Sequence, residues 1–303
     1  METVTKVVIT TINFIRSRGL NHREFQQFLK DMDSDYGDVT YFTEVRWLSQ
    51  GKMLMRFYEL QNEIKTFMNL KGKPVEELDD DLWLADLAFL VDITSHLNEL
   101  NKRLQGKGQL IHEMFFNIKA FQAKLNLWQS QLKENNCTHF KFLSKHPAAA
   151  PSKYVPFIEN LITAFDKRFE DFKENELLYT VFATPFSIDV KLLPENLQLE
   201  CIDLQADWQL KDKFYNMPLV QFYKTLSKEK YPELRDHALF MVSLFGSTYA
   251  CEQFFSKMNI TKNELRTKIT DESLENTLRI SCTSIEPDLE KLAQKKKQPQ
   301  KSY

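Results

Sequence analysis

The chain has 303 residues, 43% hydrophobic and 27% charged, with a formal net charge of −2. That is enough apolar content to bury one large core or two modest ones. The near-neutral balance excludes bulk electrostatic binding of a polyanion, so any nucleic-acid contact needs a local basic patch. The 24 phenylalanines against 7 glycines point away from a turn-rich β protein and toward helices. Cys137, Cys201, Cys251 and Cys282 are scattered without a CxxC pair, so they read as reduced thiols rather than as zinc ligands. No apolar run reaches the ~18 residues of a bilayer span, so no membrane partner is expected. The first residues enter an amphipathic pattern directly, with no basic leader, so targeting by an N-terminal segment is not expected.

In chain order, Val4, Val8, Ile12 and Ile15 fall on one stripe and predict a helix closed by Gly19. Asn21-His22-Arg23-Glu24 has the spacing of a capping box that opens a second helix carrying Phe25, Phe28, Leu29 and Met32, ended by Gly37. Residues 38–45, with Tyr41 and Phe42, are expected to be extended. Ser49 is expected to cap one helix through Leu54, Phe57, Ile64 and Met68, stopped by Gly72 and Pro74. The acidic stretch from Glu76 to Asp81 reads as the dipole-favoured flank of the next helix rather than as a metal site.

The best-defined unit is 80–133. Ile93, Leu97, Leu100 and Leu104 are spaced 4-3-4; after Gly106 and Gly108, apolar residues recur at Ile111, Met114, Ile118, Phe121, Leu125, Trp128 and Leu132. This spacing predicts an antiparallel helical hairpin. Pro147 to Pro151 breaks the chain before a helix with Ile158, Leu161, Phe165, Phe169 and Phe172. Between 176 and 235, Pro185, Pro194, Pro218 and Pro232 punctuate short pieces, with Phe186–Val190 read as a short strand and 195–206 as a helix. An apolar helix follows over 233–245. Asp271 and Glu272 open a last helix with Leu274, Leu278 and Ile280, and the basic tail from 286, with Lys295–Lys297, is expected to be disordered.

The six histidines (22, 96, 112, 139, 146 and 237) show no metal-ligand spacing, and Asp92 with His96, one turn apart, reads as a structural pair. There is no phosphate-cradling glycine loop and no Gly-x-Ser-x-Gly elbow. The residues by themselves support no enzyme class, no cofactor and no small-molecule substrate.

One segment is more specific. Glu252 follows a small-residue turn and opens a run with Phe254, Phe255 and Met258, and Lys262 and Arg266 follow one turn apart. On a helix, 254 and 258 share a face and Glu252 points away from it. This segment resembles the C-terminal signature of the hAT superfamily of DNA transposases. In that signature a serine-rich turn leads to a catalytic Glu, an aromatic-Ser pair and a Lys-x-x-x-Arg-like run; Ser247, Glu252, Phe255-Ser256, Lys262 and Arg266 sit at those places. A second block, Glu44-Val45-Arg46-Trp47-Leu48-Ser49, resembles the superfamily's Thr-Arg-Trp-x-Ser motif. The likeness covers most of the chain and is greatest to domesticated, transposase-derived proteins of the BED-finger type.

The resemblance implies a mainly α fold: the helical insertion domain of a hAT transposase plus the C-terminal helices of a truncated ribonuclease-H-like fold. It implies a helical domain over 1–235, a dimerising closing segment over 236–285 and the tail over 286–303. Glu252 would be the third acid of a site in which three carboxylates hold two divalent metals. The other two acids belong well upstream of the Arg-Trp block, where this sequence has only 45 residues that read as two helices and an extended stretch. Glu252 is therefore read as vestigial, with no metal and no enzymatic activity; Mg²⁺ would belong to an active full-length form. Arg46, Trp47, Lys262 and Arg266 are the DNA-contact candidates, with Trp47 a base-stacking face or a helix-entry core residue. Phe254 and Phe255 are the dimer-contact candidates. The expected function is a catalytically incomplete, self-associating, DNA-associated module of the nucleus, with the cytoplasm left open. Two alternatives also remain open: a fragment of an active metal-dependent transposase, and a helical interaction scaffold with no DNA role.

Overall fold

The computed structural model describes residues 1–17, 19–32, 34, 36–40, 47–106, 109–244, 249–262 and 269–283. Among them helices are the only regular secondary structure, in agreement with a mainly α fold.

Helix α1 (Glu2–Ser17) buries the predicted stripe of Val4, Val8, Ile12 and Ile15. Gly19 does not close it but opens α2 (Gly19–Asp31), so the expected capping box is not formed. Asn21 lies buried inside α2, and its side-chain amide donates to the Phe14 carbonyl at 3.2 Å. A buried amide must find a partner, and here the requirement ties α2 to α1. Met32, expected on the buried stripe, falls beyond the end of α2 and is exposed. Most of the expected extended stretch, 41–45, lies outside the described residues.

The single helix expected from Ser49 to Met68 is two, α3 (Trp47–Glu59) and α4 (Gln61–Leu70). Ser49 is within α3 rather than at its cap. The break falls at Leu60 (φ −99°, ψ 15°), which is itself fully buried between Phe57 and Ile64 in the same core. Helix α4 stops as predicted at Gly72. With φ +66°, this residue donates to the Asn69 carbonyl while Lys73 donates to that of Met68, both at 3.0 Å. This is the Schellman pairing, and its left-handed residue favours glycine.

The acidic stretch forms a 3₁₀ turn over Glu76–Asp79, and the Asp80 side chain then caps α5 (Asp81–Leu104) by accepting from the Leu82 N–H. Helix α5 and α6 (Ile111–Lys133) make the predicted hairpin. Near the start of α6 the buried stripe rotates: His112 and Phe115 are buried rather than Ile111 and Met114. Gly51 lets α3 approach α5, since a Cβ there would meet the Asn98 side-chain nitrogen at 2.3 Å and the Thr94 Cβ at 3.3 Å. Asp92 and His96 do not bond each other. Asp92 accepts from the N–H groups of Phe142 and Leu143, each at 2.9 Å. His96 donates to the His139 carbonyl at 3.0 Å and stacks on Trp128 at 4.3 Å. Both residues fasten the 139–143 segment to the hairpin.

After 3₁₀ turns at Leu143–Lys145 and Pro151–Tyr154, the helix expected over 158–172 divides at Phe169 into α7 (Val155–Arg168) and α8 (Glu170–Glu174). Helices α9 (Glu176–Ala183), α10 (Glu195–Ala206), α11 (Trp208–Asn216), α12 (Leu219–Thr225) and α13 (Pro232–Ser243) follow. The strand expected at Phe186–Val190 does not form. Among the described residues no second strand offers a ladder, and the Gln205 side chain instead donates to the carbonyls of Pro185 and Ile188 at 2.8 and 2.9 Å.

Helices α1 to α13 lie in one unit ending at Gly246. It holds two cores, the first built from α1 to α7 and the second from α9 to α13. Helix α6 serves both, with Phe121, Leu125, Trp128 and Leu132 in the first and Phe115 in the second. The boundary expected after residue 235 falls inside α13, whose Leu234, Ala238 and Met241 share the second core. The other unit, Ser247–Tyr303, contains α14 (Tyr249–Thr261) and α15 (Asp271–Cys282). The tail over 286–303 lies outside the described residues.

Candidate functional site

Helices α14 and α15 pack on each other. The Thr270 hydroxyl caps α15 by accepting from the Ser273 N–H at 3.3 Å. Lys257 donates from α14 to the Ser281 carbonyl at the end of α15, and Lys262 stands 3.9 Å from the Asp271 carboxylate at its start. Leu278 is buried. Much of the remaining apolar surface is not: Phe254 is 40% exposed, Phe255 57%, Ile260 72% and Ile280 71%, with the two phenyl rings edge-on at 6.3 Å.

The DNA-contact and catalytic candidates divide between the two units. Trp47 opens α3 in the first; Glu252 occupies the first turn of α14 and Lys262 follows its end in the second. Arg46 and Arg266 lie outside the described residues. Among the described residues, no group of three or more His, Cys, Asp and Glu is arranged to hold a metal ion, and no helix is long and apolar enough to cross a membrane.

Sequence reasoning missed a polar network around the first core. The Tyr154 hydroxyl donates to Asp86 at 2.8 Å beside Lys153, and the Tyr58 hydroxyl lies 2.8 Å from His146 Nε2. Burial pushes the Asp92 carboxyl up, against the lowering effect of the backbone N–H groups it accepts from. Burial holds His112, His146 and His237 below the usual histidine range, the last while it donates to the Leu178 carbonyl at 3.0 Å. The hydrogen bonds of Asp86, Asp92, His146 and His237 tie loops and helices to one another around the two cores.

The pH dependence of stability follows from the histidines. Their folded pKa values lie below the unfolded value of about 6.5, so the unfolded chain takes up protons first as pH falls. Their contribution is present above that value and lost as pH falls through it toward the folded pKa values. The melting temperature is expected to drop between pH 7.5 and 5.5, read by circular dichroism. A flat profile would contradict the burial of these three rings as neutral groups.

Residues 1–133 match the FAM200/GTF2IRD2 helical domain family. General transcription factor II-I repeat domain-containing protein 2 of Bos taurus is 43% identical over 284 residues, 93% of this chain and 30% of that protein. Residues 1–133 of this chain are a FAM200/GTF2IRD2-like helical domain. The Mus musculus protein of the same name is 43% identical over 263 residues, 86% of this chain and 28% of the relative. The chain thus spans less than a third of the length of these relatives. No solved structure matches it. The FAM200/GTF2IRD2-like match ends at Lys133, the last residue of α6, whereas the first core continues through Phe140, Leu143, Tyr154 and Ile158. The segment that completes the core of the FAM200/GTF2IRD2-like domain therefore lies beyond the matched region.

Proposed function

We propose that the chain is a catalytically incomplete, transposase-derived module that self-associates through α14 and associates with DNA in the nucleus. The observation that carries this reading is the exposed Phe254–Phe255 pair, with Ile260 and Ile280, on a two-helix unit. Scattered apolar residues are normal on a surface, but several large ones on one small element mark a partner site. A second copy seated on the Phe254–Phe255 pair is the simplest partner, because a two-fold interface needs only one self-complementary patch. The name of the relatives, General transcription factor II-I repeat domain-containing protein 2, supports the nucleus. Lys262, with Arg46, Trp47 and Arg266, would contribute phosphate and stacking contacts. Glu252 is read as a vestigial acid with no metal to hold.

Sedimentation of the 303-residue chain tests the central claim. Wild type is expected to dimerise, and Phe254→Asp with Phe255→Asp to weaken the dimer at least about tenfold, roughly 1.4 kcal/mol. A wild-type chain that stays monomeric at high concentration overturns the reading. DNA retention is expected to fall steeply with salt, as counterion release requires. Mg²⁺-dependent nicking of supercoiled DNA, abolished by Glu252→Gln, would replace this reading with that of an active transposase.

A further inference from the structure

The α12–α13 pair carries a second apolar feature, in the first unit. Val220 and Lys224 on α12 and Arg235, Leu239 and Val242 on α13 line a groove floored by Ala238. The α13 residues recur at i, i+4 and i+7 and so form one stripe. The second core uses other positions of these helices: Phe222 and Tyr223 from α12, and Leu234, Ala238 and Met241 from α13. Leu239 and Val242, 65% and 39% exposed, are left over from that packing.

The groove is electrically polarised. The Arg235 guanidinium donates to the Lys224 carbonyl at 3.1 Å and also to that of Leu226, closing the C-terminal end of α12. Arg235 and Lys224 therefore share one end of the groove. Lys224 is exposed and makes no ion pair among the described residues. The short connection to α13 carries Lys228, Lys230 and Glu229, which accepts from the Ser227 hydroxyl at 2.7 Å, while Asp203 and Asp207 act on Lys230 from α10 and its C-terminal end. Because the two helices run antiparallel across that connection, Val220, Leu239 and Val242 line the other, uncharged end.

We propose that this groove docks an amphipathic helix of another protein, its apolar stripe on Leu239 and Val242 and its acidic end at Lys224 and Arg235. A groove between two helices receives such a stripe at i, i+3 or i+4, and i+7. The cations at one end fix its direction by charge complementarity. A docked segment of about eight residues, roughly 12 Å of helix, matches the length of these elements. The proposal is independent of self-association through α14.

The test uses the full chain and two labelled synthetic peptides, each roughly 14 residues long so that a helix is accessible. Both carry the same leucine stripe; one ends in glutamates at the position facing Lys224, the other in lysines. Fluorescence anisotropy is expected to show the acidic peptide bound at least about tenfold more tightly than the basic one. Leu239→Glu is expected to abolish binding, and Lys224→Glu to reverse the preference. Both positions are exposed, so the melting temperature of each variant should match wild type. The Phe254→Asp, Phe255→Asp chain is expected to bind as wild type does. No binding of the acidic peptide, equal binding of both peptides, or indifference to Leu239→Glu each overturns the proposal. If Leu239→Glu instead breaks a wild-type dimer, and the acidic peptide does not bind, the groove belongs to a second copy and the proposal fails.

Discussion

Replacing Asp92 by alanine is expected to destabilise the chain by about 2–4 kcal/mol. The residue is 4% exposed, and its carboxylate satisfies the N–H groups of Phe142 and Leu143. Hydrogen bonds to a charged group contribute about 1.5–3 kcal/mol each, and alanine leaves both donors without an acceptor. Removing the buried charge recovers part of that loss, because burial disfavours the ionised form and pushes the carboxyl up. The expected effect is therefore smaller than two full charged hydrogen bonds. Asp92→Asn retains one carbonyl acceptor and avoids the charge, so it should cost less than alanine.

The sign of the pH effect separates these contributions. A carboxyl with a raised folded pKa stabilises the native state below its unfolded value, and that contribution is lost as pH rises through the folded value. Asp92→Asn should remove this downward slope just above the ordinary aspartate range while leaving the histidine slope near neutrality. Urea unfolding of wild type, alanine and asparagine variants across pH reads both effects. An alanine variant as stable as wild type would mean that the 139–143 segment is not held by this carboxylate.

The helical hairpin was legible because its apolar spacing is a local property of one face. Ile93 and Leu100, then Ile118, Phe121, Leu125 and Trp128, are buried where the 3-4 pattern puts them. The roles of Asp92 and His96 were not legible. Their spacing permits an i, i+4 pair, but the donors to Asp92 and the acceptor of His96 come from a loop more than forty residues later in the chain. The break at Leu60 was hidden for a related reason: its apolar neighbours continue a helical pattern, and only tertiary packing decides that the axis turns there. The run Phe186–Val190 has strand-like residues, yet a strand needs a neighbour to pair with, and neighbours are not encoded locally.

The two proposed surfaces divide in the same way. Phe254 and Phe255 stood out in sequence because the resemblance placed them beside Glu252. Leu239 and Val242 did not. In a helix as apolar as 233–245 they look like core residues, and nothing local distinguishes the face that meets α10 and α12 from the face that meets solvent. The rotation of the α6 stripe from Ile111 and Met114 to His112 and Phe115 has the same origin, since that end of α6 faces the second core.

Phe89→Ala should be the most damaging of the core substitutions considered, at about 3–5 kcal/mol, a large share of the ~5–15 kcal/mol by which domains are usually stable. Phe89 is fully buried in the middle of α5, stacked on Tyr154 at 4.2 Å and in contact with Phe140 at 5.6 Å and Phe157 at 5.5 Å. Two later segments, the loop at Phe140 and the stretch from Tyr154 to Phe157, thus converge on one ring, and neither alone can fill the cavity left by alanine. Tyr154 is further held by its bond to Asp86, less than one turn before Phe89. Phe89→Leu keeps most of the volume and should cost no more than about 1.5 kcal/mol. The damage should not stay in the first core, because α6 contributes side chains to both. Unfolding of Phe89→Ala is therefore expected as one cooperative transition at lower denaturant, with helix content and a fluorophore in the second core reporting the same midpoint. Two separate midpoints would show that the cores fold independently and that α6 joins them without coupling them.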